Sequence, residues 1–199
     1  MVLIEWTRPL HLVDYRGLHG PHSLCEYISA PASRIRARPQ REKNDNMAIS
    51  FECRTSISAS IESVFDLSLN IDAHLESMMG SKERAIAGVT SGAIGLGEQV
   101  TWRARHFGIP FTMTTKIVEL VRPSFFVDEQ VRGPFRSFRH EHRYQTDANT
   151  TLVIDRIEFT APLGPLGTIA ERLVLAAYLP KLIAERNAYL KATAEARCQ

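Results

Sequence analysis

The sequence predicts an α+β fold: an antiparallel meander of seven strands, two short helices after the first strand and a long C-terminal helix. Three observations predict it. Alternation of apolar and polar residues begins at Ile49–Ile57 and returns in six further segments between Lys82 and Phe159, joined by short links. A helix start, SASIES, follows the first of these segments. From about Leu166 to Ala196 the apolar spacing lengthens to that of a helix.

The 199 residues suffice for one domain with room for an appendage, and 44% hydrophobic with 23% charged residues is the balance of an ordinary soluble globular protein. Residues 1–46 form the appendage. They mix Pro9, Pro21, Pro31 and Pro39 with the run SRIRARPQREK and hold no lasting period, which predicts a disordered extension. This segment holds seven Lys/Arg and five Asp/Glu, and the remainder seventeen of each. The domain at 47–199 is therefore neutral, which argues against a sequence-independent nucleic-acid binder. Arg36, Arg38 and Arg41 lack interleaved aromatics and read as a solvated tail. Cys25, Cys53 and Cys198 are sparse and odd in number, which suits a reducing compartment, and neither a disulfide framework nor a zinc site is expected. No apolar run spans a bilayer and no secretory leader is visible, so the expected location is the cytoplasm. The oligomeric state is not legible.

In chain order, Ile49, Phe51, Cys53 and Thr55 share one face of the first strand. Ser60 is placed to cap a short helix through Val64, Phe65 and Leu67, and a second helix runs from Ile71 to about Met79. His74 on that helix, among polar neighbours, reads as a surface residue. A strand over Lys82–Ala87 leads into GVTSGAIGLGEQV. Its glycines are followed by a strand pattern rather than a helix N-terminus, so a loop at a pocket mouth fits better than a phosphate cradle. Strands follow at Gln99–Phe107, Pro110–Val121 and Ser124–Val131. Trp102, Ala104 and His106 share a face, as do Phe111, Met113, Thr115 and Ile117; Asp128 and Gln130 share one with Phe126.

The last two strands, 135–146 and 151–159, can be put in register. A four-residue turn at 147–150 pairs 146 with 151, setting Phe138 opposite Phe159, His140 opposite Ile157, His142 opposite Asp155 and Tyr144 opposite Val153. Arg139 then meets Glu158 and Glu141 meets Arg156 on the other face. A slip of one residue would mix charged and apolar partners on both faces. The sheet breaks at APLGPLG, and the terminal helix carries an apolar stripe that includes Ile169 and Leu173. Pro180 in its middle predicts a kink.

This order of elements resembles the START-like (SRPBCC) superfamily of polyketide cyclase/dehydrase-related proteins, a group that includes the birch-pollen allergen fold, START lipid-transfer domains and coenzyme-Q-binding chaperones. The resemblance covers residues 48 to about 195. Locally it rests on SASIESVFDLSLNID, GPFRSFRHEHRY and TLVIDRIEFTAPLGPLG. It implies a helix-grip fold, a curved seven-stranded antiparallel sheet wrapped round the long C-terminal helix and enclosing an elongated apolar cavity. Carriers, sensors, chaperones and some cyclases or dehydratases share that fold, so the fold does not choose the activity.

The expected function is binding of a mainly apolar small molecule: a lipid, isoprenoid, polyketide or aromatic metabolite. Trp102, His106, Met113, Ile117, Phe138, Tyr144, Ile157, Phe159, Ile169 and Leu173 would form the wall, with His140, His142 and Asp155 holding the ligand's polar end. The alternatives are a cyclase or dehydratase using His142 and Asp155 for proton transfer, and an interaction module with a filled cavity. His140 and His142 have a spacing that can serve a metal, with Asp155 or His106 as a third ligand. Cavity-lining histidines more often bond to protein neighbours, so no metal and no cofactor are expected.

Overall fold

The structure, a computed structural model, describes residues 23–27, 48–106, 108–160 and 168–197, with side chains over 48–106, 108–160 and 178–197. In chain order the elements are β1 (Ser23–Tyr27), β2 (Ile49–Ile57), α1 (Ile61–Ser68), α2 (Ile71–Ser77), β3 (Arg84–Gly88), β4 (Gln99–His106), β5 (Ile109–Val121), β6 (Phe125–Arg132), β7 (Ser137–Asp147), β8 (Thr150–Thr160) and α3 (Thr168–Ala196). One antiparallel sheet runs β1-β2-β8-β7-β6-β5-β4-β3. The seven expected strands all form, in the expected order. β1 adds an eighth at the edge of β2, inside the segment where no element was expected. The rest of that segment, and with it the arginine-rich run, lies outside the described residues.

The β1–β2 register sets Cys25 opposite Cys53, and Cys53 is disulfide-bonded. This corrects the reading of the cysteines, and sparse cysteine usage no longer argues for a reducing compartment.

Local chemistry explains the element boundaries. The Ser60 side chain accepts the Ser63 backbone N–H at 3.3 Å, and Asn70 accepts that of Ala73 at 2.9 Å, capping α1 and α2. α2 ends sooner than its apolar pattern predicts. A 3₁₀ turn follows at Met79–Ser81, and Lys82 takes a left-handed conformation (φ 52°), so β3 starts only at Arg84. Gly88 ends β3 at φ +75°, where a Cβ would lie 2.1 Å from the Gln99 carbonyl oxygen. Only glycine allows that approach of β3 to β4.

The β7–β8 register is the expected one from Phe138↔Phe159 to Thr146↔Thr151, and the pairing runs on to Asp147↔Thr150. Between the inner sheet face and the helices lie two apolar clusters. One joins Val64 and Phe65 of α1 with Ile117, Phe126, Tyr144, Val153 and Leu190. The other joins Ile49, Phe51, Ile157 and Phe159 with Leu179 and Ile183 of α3. α3 runs through Pro180 without interruption. Among the described residues no helix is long and apolar enough to cross a membrane.

Candidate functional site

A cavity of about 550 Å³ opens between the sheet and α3. Its wall comes from the α1–α2 junction, the inner faces of β4 to β7, the 134–135 segment and one side of α3. Trp102, His106, Met113, Ile117, Phe138, His140 and His142, all expected to face inward, line it.

Four other expected wall residues face inward but do not line the cavity. Ile157 and Phe159 are covered by Leu179 and Ile183, because α3 seats on that half of the sheet. Tyr144 sits under α1, its ring 5.2 Å from Phe65. Asp155, fully buried, lies behind the two histidines. The side chains of Ile169 and Leu173 lie outside the described residues.

The polar part of the wall is a compact cluster. Asp155 Oδ1 lies 3.0 Å from His140 Nε2 and 2.7 Å from His142 Nδ1. The first contact is an aligned hydrogen bond; the second is bent, leaving His142 Nδ1 without a hydrogen-bond partner among the described residues. Asp128 Oδ2 stands on the cavity side, 3.1 Å from His142 Nε2 and 3.9 Å from His140 Nδ1. The two rings stack at 3.7 Å, with Phe126 against the far side of His142 at 4.0 Å.

α3 closes the cluster from behind. Asn187 Nδ2 donates to Asp155 Oδ2 at 2.7 Å and to Thr55 Oγ1 at 3.2 Å, and Arg186 Nη1 lies 3.5 Å from Asp155 Oδ1. Sequence reading left both residues out, since polar residues on a helix read as its solvated side. The one signal available was their position one turn before the buried Leu190.

Electrostatics follows from burial and pairing. Burial, with the charge of His142, pushes the His140 ring down to about 4 against the pull of Asp155 and Asp128, so His140 is neutral at pH 7. It then donates from Nε2 to Asp155 and leaves an Nδ1 lone pair toward the cavity side. Burial opposes ionisation of Asp155, but contacts from His140 and His142 and the charges of His142 and Arg186 outweigh it and hold the carboxyl well below its usual range. Asp128 is also lowered: burial is again the largest influence and is overcome by the His142 hydrogen bond and the surrounding positive charge. Both carboxylates are therefore ionised at neutral pH.

A second polar group shares the cavity. His74, read from sequence as a surface residue, lines it instead, its ring 4.3 Å from Trp102 and its Nε2 3.2 Å from Glu83. His106 Nδ1 lies 2.8 Å from the Tyr178 hydroxyl, tying β4 to α3. Burial lowers the His106 ring below its ordinary value, with Glu83 pulling the other way.

Comparison with known proteins settles the architecture. The ZhuI aromatase/cyclase from Streptomyces sp. R1128 superposes with a TM-score of 0.63 at 16% identity, covering 77% of this chain and 97% of that one. The chain shares its helix-grip fold. TTHA0849 from Thermus thermophilus shares it (TM-score 0.59, 13% identity, 72% of this chain and 98% of that one). So does ginseng major latex-like protein 151 from Panax ginseng (0.52, 15%, 71% and 97%). At such identities the likeness is one of helix-grip fold alone. No family model matches the sequence, and no curated protein matches it significantly.

Proposed function

We propose that the chain binds one mainly apolar small molecule in its cavity, as a carrier, sensor or chaperone for a lipid, isoprenoid, polyketide or aromatic metabolite. The observation that carries this reading is a void of about 550 Å³ walled by aromatic and aliphatic side chains, with its polar groups gathered into few places. That volume is in the range of small-molecule sites, roughly 300–1,000 Å³, and burial of apolar ligand surface supplies the affinity. Asp128 accepts and Arg186 donates at the wall, a pair suited to a ligand hydroxyl or phenol. An open cavity of this size speaks against the filled-cavity interaction module.

The test is a titration with an uncharged apolar naphthalene dye. Stoichiometric binding at about 1 μM, near −8 kcal/mol, is expected for a ligand the site did not evolve to hold. Met113→Arg, which places an unpaired charge in the wall, abolishes it while far-ultraviolet circular dichroism stays unchanged. Dye binding retained in a folded Met113→Arg protein would place the ligand elsewhere and overturn the reading.

A second reading, a polyketide cyclase or dehydratase, is supported by His142 lining the cavity with Asp155 2.7 Å behind it. It is also supported by the shared fold of the aromatase/cyclase. It is the weaker reading, because the His142 nitrogen that would reach a substrate lies against Asp128 at 3.1 Å rather than open to the cavity. Conversion of a bound poly-β-ketone, rather than its unchanged release, distinguishes the two.

A further inference from the structure

The wall cluster can be read from its lone pairs. A neutral imidazole carries one N–H, and a carboxylate only accepts. If His142 donates from Nε2 to Asp128, its bare Nδ1 stands 2.7 Å from Asp155 Oδ1, two acceptors in contact at a site 2% exposed. That Nδ1 is one of only two buried side-chain polar atoms without a hydrogen-bond partner among the described residues. Placing the proton on Nδ1 replaces that pair of acceptors with a bent N–H contact to Asp155 and frees Nε2.

Both rings then hold an N–H beside the same buried oxygen of Asp155, His140 Nε2 in an aligned hydrogen bond and His142 Nδ1 in the bent contact. With one proton on each ring, their other nitrogens converge with Asp128 Oδ2 on the cavity side with no donor between them. One ligand atom from each of Asp128, His140 and His142 lies within 4.8 Å of the others. Three converging lone pairs are what a cation satisfies.

We propose that Asp128, His140 and His142 form a binding site for a divalent first-row transition metal, with open coordination positions facing the cavity. Two imidazoles and one carboxylate suit Zn(II), Fe(II) or Co(II), and three protein ligands with vacant positions are the pattern of reactive rather than structural metal sites. Metal bonds of about 2.0–2.2 Å put tetrahedral ligand atoms about 3.4 Å apart. His142 Nε2 and Asp128 Oδ2 at 3.1 Å, and His140 Nδ1 and Asp128 Oδ2 at 3.9 Å, reach that with shifts of a few tenths of an ångström. Asp155 does the work of an outer carboxylate: it orients both rings and is itself fixed by Asn187. The third ligand comes from β6, rather than from Asp155 or His106. A metal here would take an oxygen of whatever occupies the apolar cavity, yet metal binding does not depend on that occupant.

The experiment uses the full chain, stripped with a chelator, dialysed and titrated with Co(II) alone. A visible d–d band that saturates at one equivalent is expected. Asp128→Asn removes the band, and Asp155→Asn, which touches no metal, weakens Co(II) binding by about 10–100-fold. X-ray absorption of the Co(II)-loaded unmutated protein should show a shell of two imidazoles with oxygen ligands, a readout that needs no variant to fold. Absence of a band overturns the proposal. So does Co(II) binding that survives Asp128→Asn, which would place the metal elsewhere, for example on the histidines at 11, 19 and 22. Dye binding without Co(II) binding would sink the metal site alone, and the converse would sink only the apolar-ligand reading.

Discussion

Asn187→Leu tests the idea that α3 is locked to the sheet through the buried carboxylate. The substitution keeps the branched shape of the side chain and removes its donor. Asn187 is fully buried and donates to Asp155 Oδ2 at 2.7 Å and to Thr55 Oγ1 at 3.2 Å. A hydrogen bond to a charged group contributes about 1.5–3 kcal/mol and a neutral one about 0.5–1.5 kcal/mol. Loss of both therefore costs about 2–4.5 kcal/mol, with Asp155 Oδ2 losing its closest donor. For a domain of this size that lowers Tm by about 4–18 °C. The assay is urea denaturation at pH 7, read as a shift in midpoint at constant slope. A double-mutant cycle with Asp155→Asn isolates the pair, and a coupling of at least about 1 kcal/mol is expected. A loss below about 1 kcal/mol, or additive single effects, would show that α3 is held by its apolar contacts and that the carboxylate does not depend on Asn187.

Phe65→Ala removes a fully buried ring that meets Phe126 and Tyr144 edge-on, at 5.7 and 5.2 Å between centroids. It should cost about 3–5 kcal/mol in the same denaturation assay; a cost under about 2 kcal/mol would mean that α1 packs loosely. His106 gives a pH dependence. Its folded-state value is depressed by burial, so the unfolded chain binds the proton more readily. Its contribution is complete above the unfolded value of about 6.5 and is lost as pH falls from there through the lower folded value. His106→Gln should flatten the stability profile just below about pH 6.5, and an unchanged slope would assign the titration to another group.

The β7–β8 register could be read from residues alone, because one turn and a period of two leave a single arrangement that separates Arg139, Glu141, Arg156 and Glu158 from the apolar face. The caps at Ser60 and Asn70 are equally local: each serves a backbone N–H three residues on. Asp128 was harder. Phe126 and Val127 are both buried, and the β5–β6 pairing shifts register between Ile117 and Glu119, so alternation along β6 named no clear inner face. His74 was misread because a seven-residue helix is too short to show its buried side, and its partners Glu83 and Trp102 come from later in the chain.

The sequence by itself determined the order of elements, the inward faces of β7 and β8 and the presence of two histidines and a carboxylate on one surface. All of these follow from spacings of two, three or four residues. Only the tertiary structure decided which inward side chains border empty space. That depends on where α3 lies across the sheet: Leu179 and Ile183 cover Ile157 and Phe159, Asn187 and Arg186 reach Asp155, and the faces of β4 to β6 stay open. Periodicity reports the face a side chain takes, whereas a cavity is set by the distance between two surfaces far apart in the chain.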